Sequence, residues 1–597
     1  MVSNVSDFKF NLPISYLPDK RPLAEHIKTD LEFISLKGEK TLYDTVFQPE
    51  TIYGKQTINL WSHYYTANKD FIKDSQKVVK TLYKTKDDLV IIQQPKIDEV
   101  WQEIKTETGF VEKYHFIDWT RFKHFNNSAA FLQLLSLYNM TSPLISLSIP
   151  IFFLIFPFIL LKIQGIPISL SKYVEILKML FKQHQLGQIF AIGSASWDKV
   201  IYILFSFGFY ILQLYQNVTS CIKYYYNMKK IHSQLFIMRE YAQQTIINME
   251  IFSKTCDGLN TYQPFLAIME SHREILEKIV LEFEQITPNS FSFQKFKQIG
   301  HVMKCFYQLY NKTEYHETLE YSFGFNGYMD NLIGLGKRFK NKEVNSCKLL
   351  HKLSNHKLSK HKLSKHKLSK HKLSKHKLTS FTEAYFPSLV DINPIKNSYK
   401  LDDHIIITGP NAAGKTTLLK TTIFNIILSQ QTGFGFYKKA SIVLYDYIHC
   451  YINIPDTSAR DSLFQAEARR CKDIIDIIKN NSVEKNHLCV FDELYSGTNP
   501  YEAIASADAF LSYLNNLTNV NFVLTTHFLD LCKRLRKQES IQNFHMEVQE
   551  QGDDFKYTYK LQKDISTIKG GVKVLRDLEY PLEIINNTIS VLKEIVI

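Results

Sequence analysis

Gly409-Pro410-Asn411-Ala412-Ala413-Gly414-Lys415-Thr416-Thr417 sets two glycines, a lysine and a hydroxyl at the spacing G-x-x-x-x-G-K-[ST]. Those residue types at that spacing can cradle a polyphosphate. Glycine has no side chain to keep the backbone away from phosphate oxygens. Lys415 is placed to reach the β- and γ-phosphates, and the Thr416 hydroxyl is a Mg²⁺ ligand. Such a loop works only if its backbone N–H groups are aimed at the anion. His404-Ile405-Ile406-Ile407-Thr408 precedes it and reads as a buried strand, while Leu418 to Leu428 follows and reads as a helix. A strand, a tight loop and a helix N-terminus gather successive N–H groups around one point.

A second half of the same chemistry lies further along. Leu488-Cys489-Val490-Phe491-Asp492-Glu493 is an apolar strand ending in two carboxylates. In P-loop ATPases the first of such a pair, here Asp492, holds Mg²⁺ directly or through water. The second, Glu493, polarises the attacking water. A strand end fixes both at the mouth of an open α/β sheet, where ligands bind. A third strand, Asn521 to Thr526, ends at His527.

These motifs, in this order, resemble the MutS family of ABC-type ATPases. Thr408 to Thr417 is similar to the family's T-G-P-N-M-G-G-K-S-T, and Gln431-x-Gly433 to its Q-x-G. Ser462-Leu463-Phe464-Gln465-Ala466-Glu467 resembles S-T-F-x-x-E, Asp492 to Asn499 resembles D-E-x-G-R-G-T-S, and Thr526 to Leu531 resembles T-H-Y-x-E-L. The resemblance implies an α/β ATPase domain of mixed or parallel sheet flanked by helices, over 381–597. It implies ATP and Mg²⁺ as cofactors, with nucleotide held by Gly409, Pro410, Asn411, Ala412, Ala413, Gly414, Lys415, Thr416 and Thr417. It makes Glu493 and His527 catalytic, His527 as a γ-phosphate sensor, and Thr416 and Asp492 the metal-binding pair. It also implies a homodimer through the ATPase domains, with Ser462 acting in trans on the partner's γ-phosphate.

A weaker similarity, Gly38 to Val46 with Gly54-Lys55-Gln56, touches the start of the family's lever domain. The expected order is a tail at 1–30, lever-like helices at 31–127, an apolar hairpin at 128–222 and long lever helices at 223–340. A linker at 341–380 and the ATPase domain follow. With only thirty residues before this region and no Phe-x-Glu wedge among them, a mismatch-reading domain is not expected in this sequence.

The formal charge of +13 suggests a nucleic-acid or membrane binder. Most of it sits in one tract. His351 to Ser380 is six pentapeptides, mostly His-Lys-Leu-Ser-Lys, with ten lysines and no acid. It reads as a low-complexity linker, with a His-tract metal site or an anionic-lipid contact as alternatives. Eight cysteines without a C-x-x-C argue against a zinc site or disulfide framework and fit a reducing compartment. Met1 to Asp30 has no apolar signal core.

The helical region is interrupted by apolar sequence. Phe125 to Leu161 contains no charged residue, and Val200 to Ile222 is a second uncharged run. About 20 apolar residues span a bilayer as a helix. A DNA clamp should be polar and basic, so this pair is expected to form a transmembrane helical hairpin. The ATPase domain would then face the cytosol; the alternative is a soluble cytoplasmic or nuclear protein.

Two functions fit. The first is a MutS-like ATP-hydrolysing protein of the mismatch-repair family, acting on duplex DNA without sequence specificity or true mismatch readout. The second is a membrane-anchored mechanical or scaffolding ATPase with no DNA substrate.

Overall fold

The structure is a computed structural model. It describes residues 9–33, 40–89, 94–106, 109–165, 169–183, 197–287, 293–350, 378–401, 404–452, 462–551, 554–566 and 570–595. The His-Lys-Leu-Ser-Lys repeat, across 351–377, lies outside the described residues. Two compact units are formed. One comprises Met1–Val90, Asn248–Ser271 and Glu320–Ile597, the other Ile91–Ile247 and His272–Leu319.

The first unit is built on a six-stranded sheet. Its strands are β1 (His404–Thr408), β2 (Tyr447–Tyr451), β3 (His487–Asp492), β4 (Val520–Thr525), β5 (Ile541–Gln551) and β6 (Asp554–Lys563). The order is β2-β3-β4-β1-β5-β6. The first five are mutually parallel, and β6 returns antiparallel to β5. β1 and β4 are buried at every position, as parallel strands covered on both faces must be. Cys489, Phe491, Phe522 and Leu524 pack from β3 and β4 against Ala507, Leu511 and Leu514 of the helix Pro500–Asn515. A second, four-stranded sheet pairs Lys348–Leu350, Lys439–Val443, Thr379–Ala384 and Asn397–Leu401 in that order.

The helix Lys415–Thr432 runs from the glycine loop through the interior of this unit. Near its far end two buried side-chain amides face the N-terminal part of the chain. Gln431 Nε2 donates to the carbonyls of Trp61 at 2.6 Å and Tyr64 at 2.9 Å, and Gln431 Oε1 accepts from the Tyr43 hydroxyl at 2.9 Å. Gln430 Nε2 donates to the carbonyls of Thr66 and Tyr445 at 3.0 and 2.8 Å. A buried amide left unpaired costs about 1–3 kcal/mol, so these bonds fix where residues 41–66 lie on the helix. Gly433 ends the helix at φ +83, and a Cβ there would stand 2.2 Å from Gln76 Cγ.

The first thirty residues were expected as a tail, but the described ones are structured. They form a 3-10 turn (Pro13–Tyr16), a strand (Lys20–Pro22) paired with Tyr64–Thr66, and a helix (Glu25–Asp30). The reason is apolar anchoring: Phe10, Leu12 and Ile14, at every second position of the sequence, are all buried. Gly324 makes room for Phe10, whose Cβ would lie 2.2 Å from an added methyl.

The second unit is helical. Ala129–Ile163 continues through Pro150 and Pro157 as one helix. It packs closely on Phe293–Asn311 at Gly300, where a Cβ would meet the Ala129 carbonyl at 2.1 Å. Polar pairs join it to Trp197–Thr255. The Tyr224 hydroxyl donates to Ser136 Oγ at 2.6 Å, and Asn217 Nδ2 to Ser146 Oγ at 2.7 Å. Away from those contacts both helices expose large apolar side chains, among them Phe152, Ile155, Phe205 and Phe209. Among the described residues one helix, over Val200–Thr255, is long and apolar enough by length and composition to cross a membrane.

Candidate nucleotide-binding site

The glycine loop leaves β1 and turns into its helix through conformations that constrain sequence. Gly409 has φ +151 and Gly414 φ +92, and a Cβ at Gly414 would lie 3.1 Å from the Tyr559 ring. Ala412 takes φ +63 without being glycine, at a cost of about 1–2 kcal/mol. Strain of this kind persists where the surroundings over-determine the backbone, often at ligand sites.

Lys415 is buried, and burial pushes its ammonium down from the usual lysine value, opposed by the charges of Glu493 and Asp492. Its Nζ donates to the carbonyls of Gly409 at 3.0 Å and Pro410 at 3.1 Å. His527 Nε2 is 3.2 Å from the same Nζ and 2.7 Å from Glu493 Oε1. One ring nitrogen cannot donate to the carboxylate and accept from lysine together. The shorter contact decides: Nε2–H donates to Glu493, and Lys415 bonds to the two carbonyls. That hydrogen bond, followed by the charges of His527 and Lys415, holds the Glu493 carboxyl below the usual range against the opposing effect of burial.

Asp492 stands at the end of β3. Its Oδ2 accepts from the Thr416 hydroxyl at 2.7 Å and its Oδ1 from the Thr525 hydroxyl at the end of β4. The two residues expected to share a metal therefore meet directly. A hydroxyl and a carboxylate are hard oxygen donors of the kind Mg²⁺ takes, and they lie beside a buried cation suited to phosphate. The donor set fits the expected cofactors.

A cleft of about 570 Å³ opens over the loop. Asn411, Ala412, Gly414, Lys415, Thr416, Thr417 and Glu493 line one side of it. Gly409, Pro410 and Ala413 form the turn behind them. Phe386, Ile392, Ile395, Met546 and Tyr559 give the cleft an apolar flank that the motifs did not reveal. A mixed wall of this kind suits a ligand with a charged end and a flat apolar end. Asn397 ties β6 into that wall, donating to the Tyr559 carbonyl at 3.0 Å and accepting from Leu561 N at 2.9 Å. The only local hints were turn residues around Pro387 and Pro394 and an isolated tyrosine on a late strand.

Ser462 does not line the cleft of its own chain. It is exposed and caps the helix Leu463–Asn480, accepting from Gln465 N while Gln465 Oε1 accepts from Ser462 N. In the sequence Glu467 is visible only as the last residue of a motif, with nothing to show what it contacts. Its carboxylate is buried against the loop that follows Glu493.

Sheet, glycine loop and paired carboxylates define a P-loop α/β domain of the ABC ATPase type. Residues 405–596 match the MutS domain V family. The chain is 30% identical over 200 residues to the DNA mismatch repair protein MutS of Persephonella marina, covering 32% of this chain and 22% of that protein. It is 30% identical over 207 residues to the protein of the same name from Aquifex pyrophilus, covering 34% and 24%. The protein of that name from Pelotomaculum thermopropionicum is 32% identical over 190 residues, covering 32% and 21%. This domain, about a third of the chain, is what carries the similarity to the MutS family. The chain spans under a quarter of the length of these curated relatives.

Proposed function

We propose that this chain binds and hydrolyses ATP as a MutS-family ATPase. It would work as a homodimer through the domain at 381–597, acting on duplex DNA without true mismatch readout. The observation that carries the reading is that Lys415, Thr416 and Glu493 line the cleft while Asp492 and His527 bond to them from behind. Lys415 and the loop N–H groups bind and orient the phosphates. Thr416 and Asp492 would hold Mg²⁺, which would supply positive charge at the phosphates. Glu493, ionised and held by His527, is the base that orients a water and takes its proton. The name of the relatives supports DNA as the substrate class.

A second reading is favoured by a separate observation. Phe205 and Phe209 are 66% and 68% exposed on a helix of membrane-spanning length, and Phe152 and Ile155 are exposed on its neighbour. A water-facing surface of that kind is rare in a monomer without a partner. In this reading the hairpin at 128–222 is inserted in a membrane, with the ATPase domain in the cytosol and no DNA substrate.

One experiment serves both. ATP turnover of the purified chain and of Glu493→Gln is measured with and without duplex DNA, in detergent and after reconstitution into vesicles. The ATPase reading expects Glu493→Gln to bind ATP yet turn over at least a hundredfold more slowly, and parental turnover by that variant would sink it. Stimulation by DNA that falls steeply with salt supports the first reading. DNA-indifferent turnover, with the chain held in vesicles against high salt, supports the second.

A further inference from the structure

We propose that Glu467 is a positioning residue for the hydrolytic carboxylate Glu493, and that it also fixes Ser462 relative to it. The inference rests on the ATPase reading above and deepens it.

Glu467 lies five positions past Ser462, on the helix that Ser462 caps, and is only 2% exposed. Both of its oxygens are engaged by one turn of backbone. Oε1 accepts from Ser496 N and Ser496 Oγ, each at 3.0 Å, and Oε2 accepts from Gly497 N at 3.1 Å. That turn leads directly out of Asp492 and Glu493. It is also under strain: Glu493 has φ +52 and Tyr495 φ +59, two non-glycine residues in the left-handed region. A backbone in that state does not hold itself, and something must over-determine it. Among the described contacts of the turn, the Glu467 carboxylate makes three.

Gly497 shows how tightly the two parts are joined. A Cβ there would lie 2.7 Å from Leu463 Cγ and 2.8 Å from Phe464 N, atoms of the first turn of the Ser462-capped helix. The Phe464 and Tyr495 rings pack with centroids 5.6 Å apart. The Tyr451 hydroxyl accepts from Tyr495 N at 3.4 Å. Backbone three residues beyond Glu493 is thus pinned to the helix whose first residues follow Ser462. One buried carboxylate couples the group that acts within this chain's site to the serine expected to act on the partner's. Glu467 touches neither the glycine loop nor the cleft, so its effect should fall on turnover and not on nucleotide binding.

The test is Glu467→Gln in the full chain. The amide keeps the shape, but its NH₂ meets the Gly497 N–H, donor against donor. Turnover at saturating ATP should fall at least tenfold. Affinity for a non-hydrolysable ATP analogue should stay within about twofold, and the melting temperature should stay close to the parent's. Gly497→Ala, which pushes the same turn off the helix without touching a charge, should reproduce this split. Parental turnover by Glu467→Gln overturns the proposal. So does loss of analogue binding together with turnover in both variants, which would make the contact merely structural. If the parent chain does not hydrolyse ATP, the proposed function falls and this inference with it. If the parent hydrolyses and only the split fails, this inference falls alone.

Discussion

The hydrogen bond from His527 to Glu493 sets a charge state as well as a position. It lowers the pKa of Glu493 below the ordinary 4.5, so the unfolded chain holds that proton more tightly than the folded one. Stability then rises with pH wherever the unfolded state binds more protons. The contribution is fully present above about pH 4.5 and is lost as pH falls through the lower folded value. His527→Ala should therefore melt below the parent above pH 4.5, with the gap closing at more acid pH. Melting curves of both chains from pH 3 to 7 would show it, and a constant gap would remove His527 as the cause. Residues of this kind were legible because their spacing is local. Lys415, Thr416, Asp492, Glu493 and His527 all sit at the ends of short buried strands or just past them. Tyr559 and Glu467 were not legible as site residues. What they do depends on which turn or loop folds beside them, and single-sequence patterns carry no such information.

At the scale of elements, the helix capped by Ser462 presents an exposed N-terminus that does not line the cleft of its own chain. Completion of each site by the partner is the reading that gives it a role. Ser462→Arg chains mixed with Lys415→Ala chains should regain a fraction of parental turnover, since one site per heterodimer would have an intact loop and an intact serine. Neither variant alone should turn over ATP, and activity should rise with protein concentration. Full turnover by monomeric protein at all concentrations would end the idea. The strand expected at His404 to Thr408 is found at those residues, because a fully buried parallel strand reads as an unbroken apolar run. The helix expected over Leu418 to Leu428 extends to Lys415–Thr432. Its polar ends gave no periodicity, and they are kept helical by the glycine loop at one end and the paired glutamines at the other.

For the whole molecule, the segment that resembles known proteins does not close its own core. Gln430 and Gln431 bond to Tyr43, Trp61, Tyr64 and Thr66, and the Tyr65 hydroxyl accepts from Ile448 N at 3.1 Å and donates to the Asp446 carbonyl at 3.1 Å. A fragment covering 381–597 alone would leave those amides without their distant partners. At about 1–3 kcal/mol for each orphaned group, the loss approaches the 5–15 kcal/mol that holds a domain together. The fragment should show no cooperative melting by calorimetry, whereas the full chain should. A sharp transition in the fragment would show that the glutamine contacts are dispensable. The same clasp bears on how the protein is made. Tyr43 and Gln431 are 388 residues apart, so during synthesis the early segment must stay unpaired until its partner emerges. At ordinary translation speeds that is about 20–80 s, long compared with the folding of a small domain. For much of that interval Phe10 is uncovered too, because the Phe265, Tyr321 and Tyr328 rings that pack on it lie far downstream, which makes the nascent chain a natural client for chaperones.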